Sequence, residues 1–183
     1  MNGEDAEKIL NEADVLVPGA EIETAIIRMA AEISGRMCTA DPVVICIMNG
    51  GLVFAGQLLT RLKFPLQVDY VHATRYGHDA VGTHLHWTVR PQTELKGRTV
   101  LLVDDILDEG VTLAAIAGYC REQGAREVLM AVLVEKLHLR KVTPGMRADF
   151  SGVEVGDRFL FGYGLDYKGY WRNAPGIYAV KGM

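Results

Sequence analysis

Apolar and polar positions follow two rhythms along this chain. From Glu21 to Cys38 the apolar residues Ile22, Ala25, Ile26, Met29, Ala30 and Ile33 recur every three or four positions, which predicts an amphipathic helix. Asp41-Pro42 stops it. Val43 to Met48 (VVICIM) is continuously apolar and largely β-branched, the pattern of a strand buried on both faces. Asn49-Gly50-Gly51 predicts a tight turn, and Leu52 to Leu62 a second helix. Leu66–Ala73 and Leu85–Val89 predict strands on either side of a polar, glycine-containing loop, Arg75 to Thr83. After a turn at Leu95–Gly97, Thr99–Val103 predicts a buried strand, Leu113–Arg121 a helix with Gly124 at its C′ position, and Val128–Val134 another buried strand.

Strands alternating with helices predict an α/β fold: a mainly parallel twisted sheet flanked by helices. The expected sheet core spans about residues 40–147. The stretch 148–183, with short strands and many aromatics, predicts a small C-terminal hood lobe, joined by part of the N-terminus, within one domain over residues 1–183. In such sheets ligands bind beyond the carboxyl ends of the strands, where both Asn49–Gly51 and Asp104–Thr112 fall.

Composition narrows the class. The chain has 183 residues, 49% hydrophobic, with a net charge of -4, which predicts a globular protein and argues against a nucleic-acid-binding face. Cys38, Cys46 and Cys120 form no CxxC pair and no zinc spacing, so a reducing, cytoplasmic setting is expected. The acidic start MNGEDAEKIL does not read as a secretory signal, and no apolar run approaches the ~20 residues of a membrane span.

The most informative stretch is Val100–Leu113, VLLVDDILDEGVTL. Four apolar residues run into Asp104 and Asp105, then Asp108 and Glu109, before Gly110, Val111 and Thr112 open a helix. Unpaired carboxylates at a buried strand end are costly, so they imply a ligand. Backbone N–H groups at a helix start, a glycine permitting close approach and a threonine hydroxyl make a phosphate cradle of Asp108–Thr112. Two adjacent carboxylates before it suit the vicinal hydroxyls of a ribose, directly or through Mg²⁺. A 5-phosphorylated ribose fits the whole.

This stretch resembles the signature of the type I phosphoribosyltransferases, which bind phosphoribosyl pyrophosphate. Met48-Asn49-Gly50-Gly51 resembles their pyrophosphate loop, and Thr74-Arg75-Tyr76-Gly77 the start of their mobile loop. Leu133-Val134-Glu135-Lys136 is similar to the segment carrying the purine-contacting lysine. Arg158–Tyr167 (RFLFGYGLDY) with Tyr170-Trp171-Arg172 is similar to the hood of the hypoxanthine-guanine members.

The resemblance, over about Val43 to the C-terminus, implies purine salvage. The 5-phosphoribosyl group would pass from phosphoribosyl pyrophosphate to N9 of a 6-oxopurine, with Mg²⁺ as cofactor, in a homodimer or homotetramer. It implies Asp104, Asp105, Asp108, Glu109, Gly110, Val111 and Thr112 around the phosphoribosyl group, with Asp108 as general base. It implies Asn49, Gly50 and Arg172 for pyrophosphate, and Arg75 and Tyr76 on the mobile loop. Lys136, Phe159, Leu160 and Asp166 would contact the purine, and Asp104, Asp105 and Asp166 the metal. In the family the Asn49–Gly50 peptide can be cis.

Three residues depart from the family pattern. Asn49 stands where Lys or Arg is common, Glu109 where Thr or Ser is usual, and Arg75 where Ser precedes the loop Tyr. Arg75 is expected to restore part of the charge lost at Asn49.

Other residues read more plainly. His72, His84 and His86 lack carboxylate or cysteine partners at metal-ligand spacing. Lys136, His138, Arg140 and Lys141 form a basic cluster expected on a solvated loop or the site rim, and Trp87 and Trp171 read as packing residues. The rival readings are a xanthine-preferring transferase and an RNA-binding regulator on the same fold.

Overall fold

The continuously apolar segments become the centre of a six-stranded sheet in the computed structural model, which describes residues 1–75 and 85–182. In chain order the elements are α1 (Gly3–Glu12), β1 (Asp14–Val17), α2 (Gly19–Met37), β2 (Val43–Met48), α3 (Gly51–Leu59), β3 (Gln67–Arg75) and β4 (Leu85–Val89). They continue as β5 (Thr99–Leu107), α4 (Val111–Glu122), β6 (Glu127–Lys136), β7 (Phe150–Val155), β8 (Leu160–Phe161) and β9 (Ile177–Ala179). The large sheet runs β4-β3-β2-β5-β6-β7. All neighbours are parallel except β4, which pairs antiparallel with β3. β7 extends this sheet beyond residue 147, where the pattern places the core's end.

Both faces of the central strands are covered, which is why VVICIM shows no alternation. Val44 and Cys46 face a core with Ile26, Met29 and Ile33 of α2 and Phe54 and Leu58 of α3. Val43, Ile45 and Ile47 face the opposite core, with Leu113, Ile116 and Cys120 of α4.

Two elements appear that periodicity did not predict. α1 is capped by Asn2, whose side chain accepts from Asp5 N–H while the Asp5 carboxylate accepts from Asn2 N–H. Only Ala6 of α1 is buried, so its apolar signal is thin. β1 pairs antiparallel with β9, and β9 with β8, in a separate three-stranded sheet. Trp171 packs by Phe161 and Tyr167 and donates its indole N–H to Ala6 O at 2.6 Å.

β5 is longer than its apolar run. It continues through Asp104 and Asp105 to Leu107 because β6 supplies ladder partners as far as Leu107↔Glu135. The two acids therefore stand inside the strand. α4 ends as its sequence predicts: Gly124 adopts φ 84°, and Ala125 N–H reaches back to Cys120 O.

Candidate active site

The carboxyl ends of β2, β5 and β6 converge on one site. Asp104 and Asp105 are both buried, and Asp105 N–H donates to Asp104 Oδ1 at 3.0 Å. Burial, reinforced by the charge of Asp105, pushes the Asp104 carboxyl well above its ordinary range. Burial pushes Asp105 up too, although donors and Arg172 oppose it. Beside them the β2–α3 turn passes very close: a Cβ on Gly50 would overlap the Asp105 carboxylate, and one on Gly51 would lie 2.6 Å from Val103 O. These glycines are required by space. The cis peptide is Met48–Asn49, one bond before the Asn49–Gly50 bond that the resemblance singles out.

The hood reaches the same turn. Gly164, at φ 111°, abuts Gly50 O so tightly that a side chain there has no room. Arg172 Nη1 donates to Gly164 O at 2.5 Å and lies 4.0 Å from Asp105 Oδ2. Its Nη2 pairs with Asp166 Oδ1. The other Asp166 oxygen accepts from Gly169 N–H at 2.7 Å. One guanidinium thus ties the hood turn to the acid pair.

A second cluster centres on Asp108. Lys136 Nζ is 2.9 Å from Asp108 Oδ2, and His138 Nε2 is 2.6 Å from Oδ1. Lys136 also lies 3.6 Å from Asp157, which Arg140 grips through Nη1 and Nη2. Burial raises the Asp108 pKa, but the hydrogen bonds from Lys136 and His138 and the charge of Lys136 outweigh it and hold the carboxyl below its ordinary value. Asp108, His138 and Asp157 offer donor atoms within 4.8 Å of one another. Lys136 and Arg140 already neutralise that group, so it is an ion-pair cluster rather than a metal site.

The remaining expected residues are distributed as follows. Gly110, at φ 80°, is the N-cap of α4, with Val111 and Thr112 in its first turn. Its missing side chain leaves room for Met146 and Leu107, which a Cβ would meet at 2.6 and 2.9 Å. Glu109 is half-buried, and its carbonyl accepts from Val142 N–H at 2.7 Å. Phe159 is exposed and meets Tyr167 edge-on at 5.4 Å between centroids. The Leu160 side chain is buried in the core under β8, so only its backbone is available to a ligand. Arg75 closes β3, and Tyr76 and His84 lie outside the described residues.

The chemistry of the donor set fits Mg²⁺ at Asp104 and Asp105: hard oxygen donors, adjacent and buried. Among the described residues only Arg172, at 4.0 Å, approaches this pair as an ion-pair partner. Asp166 fits a metal less well, because both its oxygens are engaged. Sequence reasoning missed Asp157 and Gly164, and placed His138 on a rim or solvated loop, whereas its side chain is only 5% exposed.

The model of a family described as phosphoribosyl transferase domain matches residues 13–168. The hypoxanthine-guanine phosphoribosyltransferase of Bacillus subtilis is 31% identical over 168 residues, covering 91% of this chain and 92% of that protein. The protein of the same description from Aquifex aeolicus is 31% identical over 169 residues, covering 91% and 94%. The crystal structure of a hypoxanthine phosphoribosyltransferase from Staphylococcus aureus superposes with a TM-score of 0.88 at 24% identity, over 99% of this chain and 96% of that one. That likeness shows the fold.

Proposed function

The chain belongs to the phosphoribosyl transferase domain family, and from that premise we propose that it is a purine salvage enzyme. It transfers 5-phosphoribosyl from phosphoribosyl pyrophosphate to N9 of hypoxanthine or guanine, releasing pyrophosphate and giving IMP or GMP. The names of the two relatives, both hypoxanthine-guanine transferases, favour these bases over xanthine.

The observation that carries the reading is the Lys136–Asp108 pair. A 6-oxopurine presents a carbonyl acceptor and an N7–H donor on one edge, and this pair presents the matching donor and acceptor. Adenine presents an amine where Lys136 needs an acceptor. Phe159 stacks on the ring, and the backbone near Leu160 and Asp166 reads the far edge. Asp104 and Asp105 hold the ribose hydroxyls, while the backbone at Asp108, Glu109, Gly110, Val111 and Thr112 wraps the 5-phosphate at the start of α4. Asn49, Gly50 and Arg172 face the pyrophosphate.

In the transfer step N9 forms its bond to C1 of the ribose as the C1–oxygen bond breaks, and that electron pair leaves with pyrophosphate. The purine's N7 proton passes to Asp108. The positive character at C1 is met by the surrounding carboxylates. Asp104 and Asp105, with Asp166 nearby, would hold Mg²⁺, which would supply charge neutralisation for the pyrophosphate.

We assign the reaction to the cytoplasm, supported by three free cysteines; no helix among the described residues is long and apolar enough to cross a membrane. We assign a homodimer or homotetramer, supported by exposed Leu52, Val68 and Tyr70.

The test is turnover with phosphoribosyl pyrophosphate and each of hypoxanthine, guanine, xanthine and adenine. The expected result is turnover of the first two. Turnover confined to xanthine or adenine overturns the base assignment. Tight, salt-sensitive RNA binding without turnover establishes the regulator reading instead.

A further inference from the structure

Both ring nitrogens of His138 are engaged in hydrogen bonds. Its Nδ1 accepts the backbone N–H of Arg140 at 3.1 Å. An accepting nitrogen carries no proton, so the ring is neutral and its single proton sits on Nε2. That proton points at Asp108 Oδ1, 2.6 Å away. The side chain is 5% exposed, whereas the Asp108 side chain is 38% exposed. A buried, neutral donor is therefore aimed at the half-open carboxylate.

The contact belongs to a larger lashing. Val142 N–H donates to Glu109 O at 2.7 Å, and Lys141 Nζ to Leu107 O at 2.8 Å. Leu107, Asp108 and Glu109 are thus each tied to the segment that follows β6. Within this set, His138 and Lys136 are the side chains that grip the Asp108 carboxylate, one on each oxygen.

We infer that His138 is a positioning residue for Asp108: it holds Oδ1 so that Oδ2 is presented to the purine when Lys136 moves to the 6-oxo group. This rests on the proposed role of Asp108 as proton acceptor. With Lys136 withdrawn, a carboxylate held by one oxygen keeps its plane, whereas an unheld one rotates. The Nε2 proton is not transferred, because Nδ1 already serves the Arg140 amide. Removing the donor therefore slows the proton step and leaves the ribose and pyrophosphate contacts in place.

The test compares His138→Leu, which removes the donor, with His138→Gln, which keeps an N–H near the Nε2 position. Thermal melts verify that each variant is folded. Loss of one charge-assisted hydrogen bond predicts a kcat about tenfold lower or more for His138→Leu. The KM for phosphoribosyl pyrophosphate should stay within about twofold, and His138→Gln should recover most of the kcat. Unchanged kcat in His138→Leu overturns the inference, as does equal impairment in both variants.

An independent reading needs no activity. ¹⁵N NMR of the unliganded wild-type imidazole should show the Nε2–H tautomer at neutral pH. An Nδ1–H tautomer or an imidazolium overturns the inference. Absence of turnover together with the Nε2–H tautomer would instead mark failure of the proposed function.

Discussion

Lys136 Nζ and Asp108 Oδ2 stand 2.9 Å apart, and each satisfies the charge that the other would otherwise leave partly buried. The pair is brought together by neighbouring strands: Leu107↔Glu135 is the last rung between β5 and β6, and the two residues come next, Asp108 just beyond β5 and Lys136 as the last residue of β6. In the proposed function, a 6-oxopurine entering here would exchange one ion pair for two hydrogen bonds of its own. On that proposal the pair would select a ligand that can replace both partners at once.

Replacing Lys136 by Met should raise KM for hypoxanthine and guanine about tenfold or more, the scale of one hydrogen bond to a charged group. It should also move the acid limb of the kcat/KM–pH profile upward, because Lys136 helps hold the Asp108 carboxyl below its ordinary value. Steady-state kinetics across pH checks both; an unmoved acid limb would separate Lys136 from the titration of Asp108.

Asp108→Asn keeps the size and removes the proposed base. Turnover should fall by roughly 10²–10⁴, the usual contribution of a general base. Near wild-type turnover in rapid-mixing experiments would leave Asp108 a merely positional role.

Arg172→Lys should behave as a loss. A lysine cannot reach Gly164 O and Asp166 together in the fork geometry that the guanidinium uses. The expected result is a KM for phosphoribosyl pyrophosphate raised about tenfold, with the purine KM less affected. Initial-rate measurements with each substrate varied decide it.

Asp69 gives a pH-dependent contribution to stability away from the site. Burial raises its pKa, but N–H donors from Thr93, Tyr70 and Gln92 outweigh this and leave it lowered. Those donors lie 2.7, 2.7 and 2.8 Å away and fasten the segment after β4 to β3. A lowered carboxyl stabilises the fold above its unfolded pKa, and that stability disappears as pH falls through the folded value. Asp69→Asn should cost about 1–3 kcal/mol at pH 7, and the difference from wild type should shrink below pH 4. Thermal melts at pH 7 and in the acid range measure it.

The central sheet was legible because burial on both faces writes itself as uninterrupted apolar runs, as at Val43–Met48 and Val128–Val134. The signature Asp104–Thr112 was legible because acids are conspicuous at the end of such a run. The hood was only partly so. β1 and β9 are four and three residues long, and they pair with each other across more than 150 residues of sequence. No local period marks such a pairing. The seating of Gly164 on Gly50 and the inward turn of His138 depend on where separate loops end up, and a linear pattern carries no record of that.

The pairing of β1 with β9 also imposes an order on events during synthesis. Residues 14–17 leave the ribosome early and then wait for residues 177–179. Every rung from β2 to β6 can close in the interval, since those strands are already in hand. Asp166 and Arg172 arrive late, just before the final strand, so the chain assembles its sheet while it still lacks the arginine that faces Asp105. A nascent chain can thus have most of its sheet in place while its first strand remains an unpaired edge, open to a chaperone or to a neighbouring copy, until residues 177–179 emerge.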